Sequence, residues 1–387
     1  MKENEKKNSA ISSILQNLDR RWLLILALAV LALILFIWLI FIQPKPIASP
    51  EEGKAIEKLL NPVQKMDFDS LIADRCYPLG DRLLLLRPET VVLQELHGQE
   101  IASLPLDLAQ PVGLNVDGYV LCGDRKSERI DVFNHEGIVF ESSLDGSLAG
   151  GDYNRKGIWA VIDDVGEKPA KVHLLDSVGE RVFTLSFDQS GSPLKLSFTP
   201  DGNALDILIL NSSGSQLKTY VKRFDLAGEQ LAQRVLEGYP VLFTDILHDR
   251  SGNPVVYSGS TVIHFAFENS DFFHAYEFAR VEAVIPHAGN LLAVGSEIQD
   301  GKLSIYELNQ DGNRREMASG LRDAERFLKR GNQLFISASS TLYRYRIGGE
   351  EFETLGALDG QILTMSQVNG RQVNILTHRG ARIIDLP

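Results

Sequence analysis

The sequence predicts an all-β body of eight similar four-stranded units, preceded by one membrane-spanning helix. An uncharged apolar segment, Trp22 to Ile42, lies near the start of the chain. From about residue 63 onward, helical periodicity gives way to short β-rich runs separated by glycine-bearing turns. One of these turns occurs eight times, with a mean glycine spacing of about 41 residues, which indicates a structural repeat.

The apolar segment is long enough to cross a bilayer as a helix. Its 21 residues include no charged residue, Gly or Pro. At about 1.5 Å per residue such a helix spans roughly 30 Å, the thickness of the hydrocarbon core. A cleaved signal peptide is one alternative, but its apolar part usually has only about 7–15 residues. A soluble core helix would need a protein cover that no nearby segment offers. We therefore expect an uncleaved signal-anchor at residues 22–42.

The charges beside this segment predict its orientation. Residues 1–21 carry five Lys or Arg and three Asp or Glu, and Arg20 and Arg21 directly precede the apolar segment. The other side turns acidic at Glu51 and Glu52. By the positive-inside rule, the N-terminus lies in the cytoplasm and the body lies outside it. We expect a single-pass protein of a bacterial inner membrane, with its body in the periplasm.

The segments on either side of the anchor are short. The head, residues 1–21, is predicted to contain a short amphipathic helix, because apolar residues recur there at helical spacing: Ile11, Ile14, Leu15 and Leu18. This helix would lie on the membrane surface or extend the anchor inward. Residues 43–62 form a spacer of prolines and a short helix, Glu51 to Leu60, which Asn61-Pro62 ends.

The charge of the body limits its partners. The chain has a formal net charge of −12 at pH 7. The head contributes five of the 39 basic and three of the 51 acidic side chains, which leaves a net charge of −14 for the remainder. An acidic body argues against DNA, RNA or anionic lipid as the main ligand. We expect its partners to be other envelope or membrane proteins.

The two cysteines, Cys76 and Cys122, are too few for a disulfide scaffold. In an oxidising compartment the pair could form a disulfide. Two buried free thiols are the equally weighted alternative.

The repeat is defined by a turn in which polar residues and a glycine precede an apolar strand. Glycine suits this turn because a tight hairpin requires a positive φ, which costs glycine little. The eight glycines are Gly80, Gly118, Gly157, Gly202, Gly252, Gly289, Gly331 and Gly370. A second polar corner lies between them, with glycine at Gly98, Gly137, Gly179, Gly228, Gly312 and Gly348-Gly349. The fifth unit has Glu268-Asn269-Ser270-Asp271 at this corner instead. Two corners in each unit give four strands.

Four-stranded units that repeat every 40–45 residues or so are typical of a β-propeller. We therefore predict an eight-bladed β-propeller at residues 63–387. The last unit, Gln361 to Pro387, holds only three strands, whereas Val63 to Asp69 is one strand left over at the start. We predict that this first strand becomes the outer strand of the last blade and closes the ring, which removes open sheet edges. Seven blades with a loose terminal hairpin, or two stacked β-sandwich domains, are the alternatives.

The body resembles the β-propeller superfamily across residues 63–387. The corner Thr199-Pro200-Asp201-Gly202 is similar to the Pro-Asp-Gly turn of WD40-like and lactonase-like propellers. The Trp-Asp dipeptide of WD40 blades is absent. The repeated tryptophan motif of quinoprotein propellers is absent too, since Trp159 is the only tryptophan of the body. The resemblance therefore implies an architecture and matches no one family.

The sequence contains no catalytic signature. Gly-x-Ser-x-Gly, His-Glu-x-x-His, Cys-x-x-Cys and a phosphate-binding loop are all absent. The spacing of the eight histidines does not indicate a convergent metal or lactonase-type site. Asp163-Asp164, followed by Gly166-Glu167, could ligate Ca²⁺, but a solvated loop is the simpler interpretation. We expect no catalytic residue, cofactor or metal ligand. A propeller enzyme or ligand sensor that uses the central channel, lactonase-like or quinoprotein-like, is the alternative.

Long loops form the first candidate partner-binding surface. The loop between the second and third strands is predicted to be long in units two, three and four, at residues 122–129, 163–171 and 211–217. Adjacent long loops would form one lobe, and loops carry binding more often than strands do. Its positive charges are Arg125, Lys126, Arg129, Lys168 and Lys171. Neutral variation in loop length is the alternative.

An aromatic cluster in unit five is the second candidate surface. Its members on the predicted outer strand, Phe272, Phe273 and Tyr276, would be exposed to a partner. Core packing is the alternative. Together these features predict a protein–protein interaction scaffold, or an accessory subunit of an envelope complex.

Overall fold

Runs of Val, Ile, Leu and aromatic residues form short antiparallel strands throughout the part of the chain that the computed structural model describes. That part comprises residues 59–68, 75–87, 89–106, 110–166, 169–187, 191–212, 217–239 and 241–386. The predicted head and anchor and most of the spacer, residues 1–58, lie outside it. Within the described ranges, no helix is long and apolar enough to cross a membrane.

In the described residues the strands form eight sheets of four, and hydrogen-bonded neighbours within a sheet mostly follow chain order. Strand β1 (Gln64–Asp67) comes first and belongs to the last sheet. Blade 1 contains β2 (Cys76–Leu79), β3 (Arg82–Leu86), β4 (Thr90–Glu95) and β5 (Glu100–Pro105). Blade 2 contains β6 (Pro111–Val116), β7 (Tyr119–Asp124), β8 (Ser127–Asn134) and β9 (Gly137–Ser143). Blade 3 contains β10 (Ser147–Tyr153), β11 (Trp159–Asp164), β12 (Lys171–Leu175) and β13 (Arg181–Ser186). Blade 4 contains β14 (Ser192–Phe198), β15 (Ala204–Asn211), β16 (Lys218–Asp225) and β17 (Gln230–Leu236).

The second half of the ring repeats this pattern. Blade 5 contains β18 (Asp245–His248), β19 (Pro254–Tyr257), β20 (Thr261–Phe265) and β21 (Phe273–Glu277). Blade 6 contains β22 (Arg280–His287), β23 (Asn290–Ser296), β24 (Leu303–Leu308) and β25 (Arg314–Leu321). Blade 7 contains β26 (Arg326–Arg330), β27 (Gln333–Ala338), β28 (Thr341–Arg346) and β29 (Phe352–Ala357). Blade 8 contains β30 (Ile362–Gln367), β31 (Gln372–Thr377), β32 (Gly380–Asp385) and, at its outer edge, β1.

Strand β1 closes the ring. It pairs antiparallel with β32, and Gln64 lies opposite Ile383 while Asp67 lies opposite Gly380. The backbone N–H of Val63 extends this pairing, since it donates to the Ile383 carbonyl at 2.7 Å. The prediction of eight blades, with the first strand completing the last blade, is therefore confirmed. Seven blades with a loose hairpin and two stacked sandwiches are both excluded.

The core of the propeller lies between blades. First strands of neighbouring blades approach one another around the axis, for example β10 with β6 and with β14. In the described residues there are eight buried apolar clusters, one at each boundary between adjacent blades. Between blades 3 and 4, Ile162 and Ile207 share such a cluster. This packing explains why the inner strands are apolar on both faces.

The corner between the third and fourth strands packs against the outer strand of the preceding blade. In blade 4 this corner holds Gly228, with a φ of +87°. A Cβ on Gly228 would lie 1.9 Å from the ring of Phe183 on β13. Gly179 of blade 3 has the same relation to Phe140 on β9, at 2.5 Å. Glycine is therefore needed here for the positive φ and also for the close approach of two blades.

The predicted three-blade lobe of long loops is wrong in blade 2. Strand β7 ends at Asp124 and β8 begins at Ser127, so Arg125 and Lys126 form a two-residue turn. The ladder continues to the turn because Asp124 pairs with Ser127. The loops of blades 3 and 4 are long, as predicted, and span residues 165–170 and 212–217. Blade 6 has a further six-residue loop at 297–302.

Candidate functional site

Two of the predicted basic residues are neutralised by neighbouring carboxylates. Arg129 on β8 forms ion pairs with Asp131 at 2.9 Å and with Glu141 at 3.0 Å. The Lys171 Nζ lies 2.6 Å from an oxygen of Asp145. Arg125 and Lys126 are exposed at the tip of their hairpin, and Lys168 lies outside the described residues. Among the described residues of this set, the positive charge that remains is therefore confined to one tight turn of blade 2.

The aromatic cluster of blade 5 is mostly part of the core. Tyr276 is buried, and its hydroxyl donates to the Asn309 carbonyl of blade 6 at 2.7 Å. The Phe273 ring is half-buried beneath the Arg234 guanidinium, 4.8 Å from its centroid. Phe272 is half-buried against His264. Tyr276 is therefore a core residue, as the alternative of core packing has it, whereas Phe272 and Phe273 are only partly packed into the core.

Both cysteines are buried free thiols. Cys76 belongs to the cluster between blades 8 and 1, and Cys122 to the cluster between blades 1 and 2. Burial raises the pKa of both thiols, which makes the reactive thiolate scarce at neutral pH.

Three buried Asp–His pairs lie in blades 3, 4 and 5, and the sequence analysis did not predict them. The imidazole Nε2 lies 2.9 Å from a carboxylate oxygen in Asp163–His173, 2.8 Å in Asp206–His248 and 3.0 Å in Asp249–His264. All six side chains are buried. The pairs join strands or blades that are separated in sequence, so their members meet only through strand register within a blade or through the packing of adjacent blades.

Two of these pairs have fully satisfied carboxylates. Asp206 accepts two bonds from Arg223, both at 2.7 Å, in addition to the bond from His248. Asp249 accepts the backbone N–H groups of Ser251 and Asn253, and its other oxygen meets His264. These pairs brace turns and blade boundaries.

The third pair differs because one carboxylate oxygen is unused. Oδ2 of Asp163 accepts from His173 and from the backbone N–H of Asp145 at 2.7 Å. Oδ1 of Asp163 is buried and has no hydrogen-bond partner among the described residues. The other imidazole nitrogen, His173 Nδ1, lies 2.9 Å from the Thr184 hydroxyl. Burial lowers the pKa of His173 despite the bond to Asp163, so the imidazole is neutral at pH 7.

Asp145 completes a group of three possible metal ligands with Asp163 and His173. The ligand atoms of Asp145, Asp163 and His173 all lie within 4.8 Å of one another, and no other such group occurs in the described residues. Asp145 is partly exposed and holds Lys171 and Arg181, which lower its pKa, Lys171 contributing most. At the Asp163-Asp164 segment, where Ca²⁺ ligation is the alternative to the expected solvated loop, Asp163 faces His173 while Asp164 is exposed and accepts the Gly166 N–H.

Residues 61–386 match the model of a family described as a family of unknown function, DUF5711. The chain belongs to the DUF5711 family. No curated protein matches this DUF5711 chain. Among solved structures it is similar to BamB from Moraxella catarrhalis, with a TM-score of 0.53, 13% identity, and coverage of 85% of this chain and 100% of that one. It is also similar to the Dos1 propeller, with a TM-score of 0.58, 10% identity, and coverage of 84% and 95%. These likenesses concern the fold.

The DUF5711 propeller has a cleft of about 730 Å³ between blades 4 and 5. Its walls include Arg223, Leu231, Arg250 and Phe267. The corner of blade 5 beside this cleft is closed by a backbone hydrogen bond from the Ala266 N–H to the Phe272 carbonyl, so it holds seven residues. The corresponding corners that contain glycine are closed over five residues, as from Asp225 to Glu229. This corner has no glycine to let it sit closely against β17. The missing glycine noted in the sequence therefore coincides with an open groove.

A second cleft, of about 580 Å³, opens at the mouth of the channel. Asp152 on the innermost strand β10 lines it, and this carboxylate accepts the Phe198 N–H at 2.7 Å. A channel enzyme would need several His, Asp or Glu side chains that converge here. Within the described ranges the one converging group has Asp163 and His173 on the second and third strands of blade 3, not on an innermost strand.

Proposed function

We propose that this chain is a non-enzymatic, membrane-anchored scaffold whose propeller lies outside the cytoplasm and binds other envelope or membrane proteins. The uncharged segment 22–42 supports the anchor because its length matches a bilayer. Arg20 and Arg21 before it support a cytoplasmic N-terminus.

One observation favours a scaffold function over an enzymatic one. Among the described histidines with a carboxylate neighbour, His173, His248 and His264 are buried inside the ring, whereas His97, 2.8 Å from Glu95, lies at an exposed corner of blade 1. A general acid or base must reach the proton that it transfers in a bound substrate. In this ring these buried groups instead hold strands and turns in place, which suits a rigid binding platform.

The cleft between blades 4 and 5 is the contact surface that we favour. Leu231 at its rim is 57% exposed. The Arg223 guanidinium stacks over Phe267 at 4.8 Å and is held in place by Asp206. A rigid arginine on an aromatic ring beside an exposed aliphatic side chain is the composition typical of interface centres. The partner would insert an apolar side chain beside Leu231.

Membrane fractionation tests the anchor. The full chain should stay in the pellet after alkaline extraction, and a C-terminal reporter should be active only outside the cytoplasm. A variant that lacks residues 1–42 should be soluble and folded, because the described ring contacts involve residues 59–386 alone. Extraction of the full chain at alkaline pH, or a cytoplasmic reporter, would refute the anchored arrangement.

Crosslinking in intact membranes, followed by mass spectrometry, tests the scaffold. A fixed set of membrane or envelope proteins should be recovered, and Leu231→Glu should reduce their yield by about tenfold. Val178→Glu is the matched control, because Val178 is similarly exposed on blade 3. Recovery of the chain alone in every mild detergent would count against a scaffold. Equal losses from both variants would exclude the cleft as the contact surface.

A further inference from the structure

We propose that Asp145, Asp163 and His173 form a binding site for a divalent transition-metal ion, with Zn²⁺ as the best-suited ion. The site would connect the turn that leaves blade 2 with the second and third strands of blade 3. It is independent of the scaffold function proposed above.

The geometry of the group is close to that of a zinc site. Zinc lies about 2.0–2.2 Å from nitrogen and oxygen ligands, so tetrahedral ligand atoms stand about 3.4 Å apart. His173 Nε2 and Asp163 Oδ2 are already 2.9 Å apart, and the whole set spans at most 4.8 Å. The two ends of the site differ in exposure. The side chains of Asp163 and His173 are 0% exposed, whereas that of Asp145 is 38% exposed and is held by Lys171 and Arg181.

The second observation that supports a metal site is the buried Asp163 Oδ1, which has no hydrogen-bond partner among the described residues. A buried carboxylate oxygen without a partner is costly, and an ion is one of the recognised explanations for such a group. The other two buried pairs are the internal comparison. In those pairs arginine, asparagine or backbone N–H groups meet both carboxylate oxygens. Of the three Asp–His pairs in the described residues, only Asp163–His173 has a carboxylate oxygen without a partner, and only there does a second carboxylate stand within ligand distance.

The surroundings of His173 allow the imidazole to change tautomer. Without metal, Nε2–H donates to Asp163 and the Thr184 hydroxyl donates to Nδ1. With metal on Nε2, the ring proton sits on Nδ1 and donates to the same hydroxyl, which then acts as the acceptor. A second-nitrogen partner of this kind is usual for metal-bound histidine, because it fixes the ring orientation. Because Nε2 and Asp163 Oδ2 are hydrogen-bonded at 2.9 Å without metal, the Asp163 carboxylate has to turn away from Nε2 for the ion to take the place of the proton.

One imidazole and two carboxylates favour zinc or manganese over calcium or magnesium, which prefer oxygen ligands alone. Lys171 and Arg181 oppose the metal, because both now hold the Asp145 carboxylate. Removing Lys171 should therefore tighten metal binding several-fold. A purely structural ion-pair network would show no such response.

The test is titration of the purified full chain, first stripped with a chelator, with Zn²⁺, Mn²⁺, Ca²⁺ or Mg²⁺. Isothermal calorimetry should give one Zn²⁺ per chain with micromolar affinity. The unfolding temperature should rise with the logarithm of the Zn²⁺ concentration, since the ion binds the folded state. Co²⁺ should give a visible absorption band that Zn²⁺ removes. Ca²⁺ and Mg²⁺ should give no heat and no temperature shift.

Variants locate the ion. Asp145→Asn, at a partly exposed position that leaves the core intact, and His173→Gln should abolish the one-to-one binding. His264→Gln is the matched control, because His264 belongs to a buried pair without the third carboxylate, and it should bind Zn²⁺ as the unchanged chain does. Lys171→Ala should bind more tightly. The proposal is overturned if Zn²⁺ binds equally to Asp145→Asn, if binding requires millimolar Zn²⁺, or if Lys171→Ala weakens it.

Discussion

Arg382 holds the ring closed, so its replacement by alanine should open blade 8 before any other blade. The side chain is only 6% exposed. Its Nη1 donates to the Met66 carbonyl of β1 at 2.8 Å, and its Nη2 reaches the Asp67 carboxylate. These bonds join residues 316 and 315 positions apart in sequence. Elsewhere each blade continues covalently from strand to strand, whereas β1 is joined to blade 8 only by noncovalent contacts, namely these side-chain bonds and the backbone ladder to β32.

The magnitude follows from these contacts. A hydrogen bond from a charged group contributes about 1.5–3 kcal/mol, and the bond to the Met66 carbonyl belongs to this class. The bond to Asp67 contributes less, because that carboxylate is mostly exposed. Including lost packing of the aliphatic stem, Arg382→Ala should lower the free energy of unfolding by about 2–3 kcal/mol.

Arg379→Ala is the matched control for this substitution. Arg379 directly precedes β32 and pairs with Asp359, but both side chains are about two-thirds exposed, at 66% and 64%. A pair of this kind contributes at most about 1 kcal/mol. Urea denaturation of the full chain in detergent, followed by circular dichroism, measures both variants. Hydrogen exchange should show faster opening at residues 64–67 in Arg382→Ala alone.

Two results would refute this reasoning. Equal stability loss in the two variants would mean that the buried arginine does not hold β1. Unchanged protection of residues 64–67 in Arg382→Ala would mean that the backbone ladder to β32 suffices for closure.

Three further predictions concern the blade boundaries and the core. Gly228→Ala should lower the free energy of unfolding by about 2–4 kcal/mol, because the new methyl group would contact Phe183. Gly118→Ala is the control: Gly118 has a φ of +86° and no atom nearby, so the free energy of unfolding should fall by only about 1–2 kcal/mol. Equal losses in urea unfolding would contradict close packing of the Gly228 corner. Burial favours the protonated form of Asp249, but hydrogen bonds from its histidine and asparagine neighbours outweigh burial and hold its pKa below the ordinary value. The stability that this ionised carboxylate contributes is present above the unfolded pKa of about 3.9 and is lost as the pH falls through the lower folded pKa. Asp249→Asn should therefore flatten the fall in unfolding temperature between about pH 5 and 2. An unchanged slope would show that Asp249 does not contribute to this fall. Both thiols should react with an aromatic disulfide reagent only after unfolding and without prior reduction; no reactive thiol in unfolded, unreduced chain would show a disulfide instead.

The glycine spacing was enough to predict the blade count, because the conformational demand of a hairpin is local and visible in sequence. The closure of the ring followed from counting: three strands after Gln361 and one unassigned strand near Val63. The same reasoning identified the odd corner of blade 5, since Asn269 stands where the other units have glycine. Glycine spacing could not predict how the corners pack against the neighbouring blade. The contact of Gly228 with Phe183, for example, depends on how two blades approach each other.

The candidate sites were harder to predict for a similar reason. The sequence predicts Arg125 and Lys126 to be part of a long loop, since it does not show that the ladder runs to Asp124 and resumes at Ser127. The buried pair of Asp163 and His173 is ten residues apart and crosses a hairpin whose loop length was uncertain by several residues. Once the register is known, with Val161 opposite His173, the two side chains are diagonal neighbours on one face. Polar residues at the end of one strand and early in the next are the signal that would have indicated the pair.

The closure by β1 also affects how the protein is made. The ribosome produces this strand first, but its partner β32 appears more than 300 residues later, as the separation of 316 between Met66 and Arg382 shows. At about 5–20 residues per second, synthesis of the intervening chain takes roughly 15–60 s. Throughout this delay β1 has no strand to pair with and remains an open edge. The closing pair of strands can therefore form only after β32 has been translated.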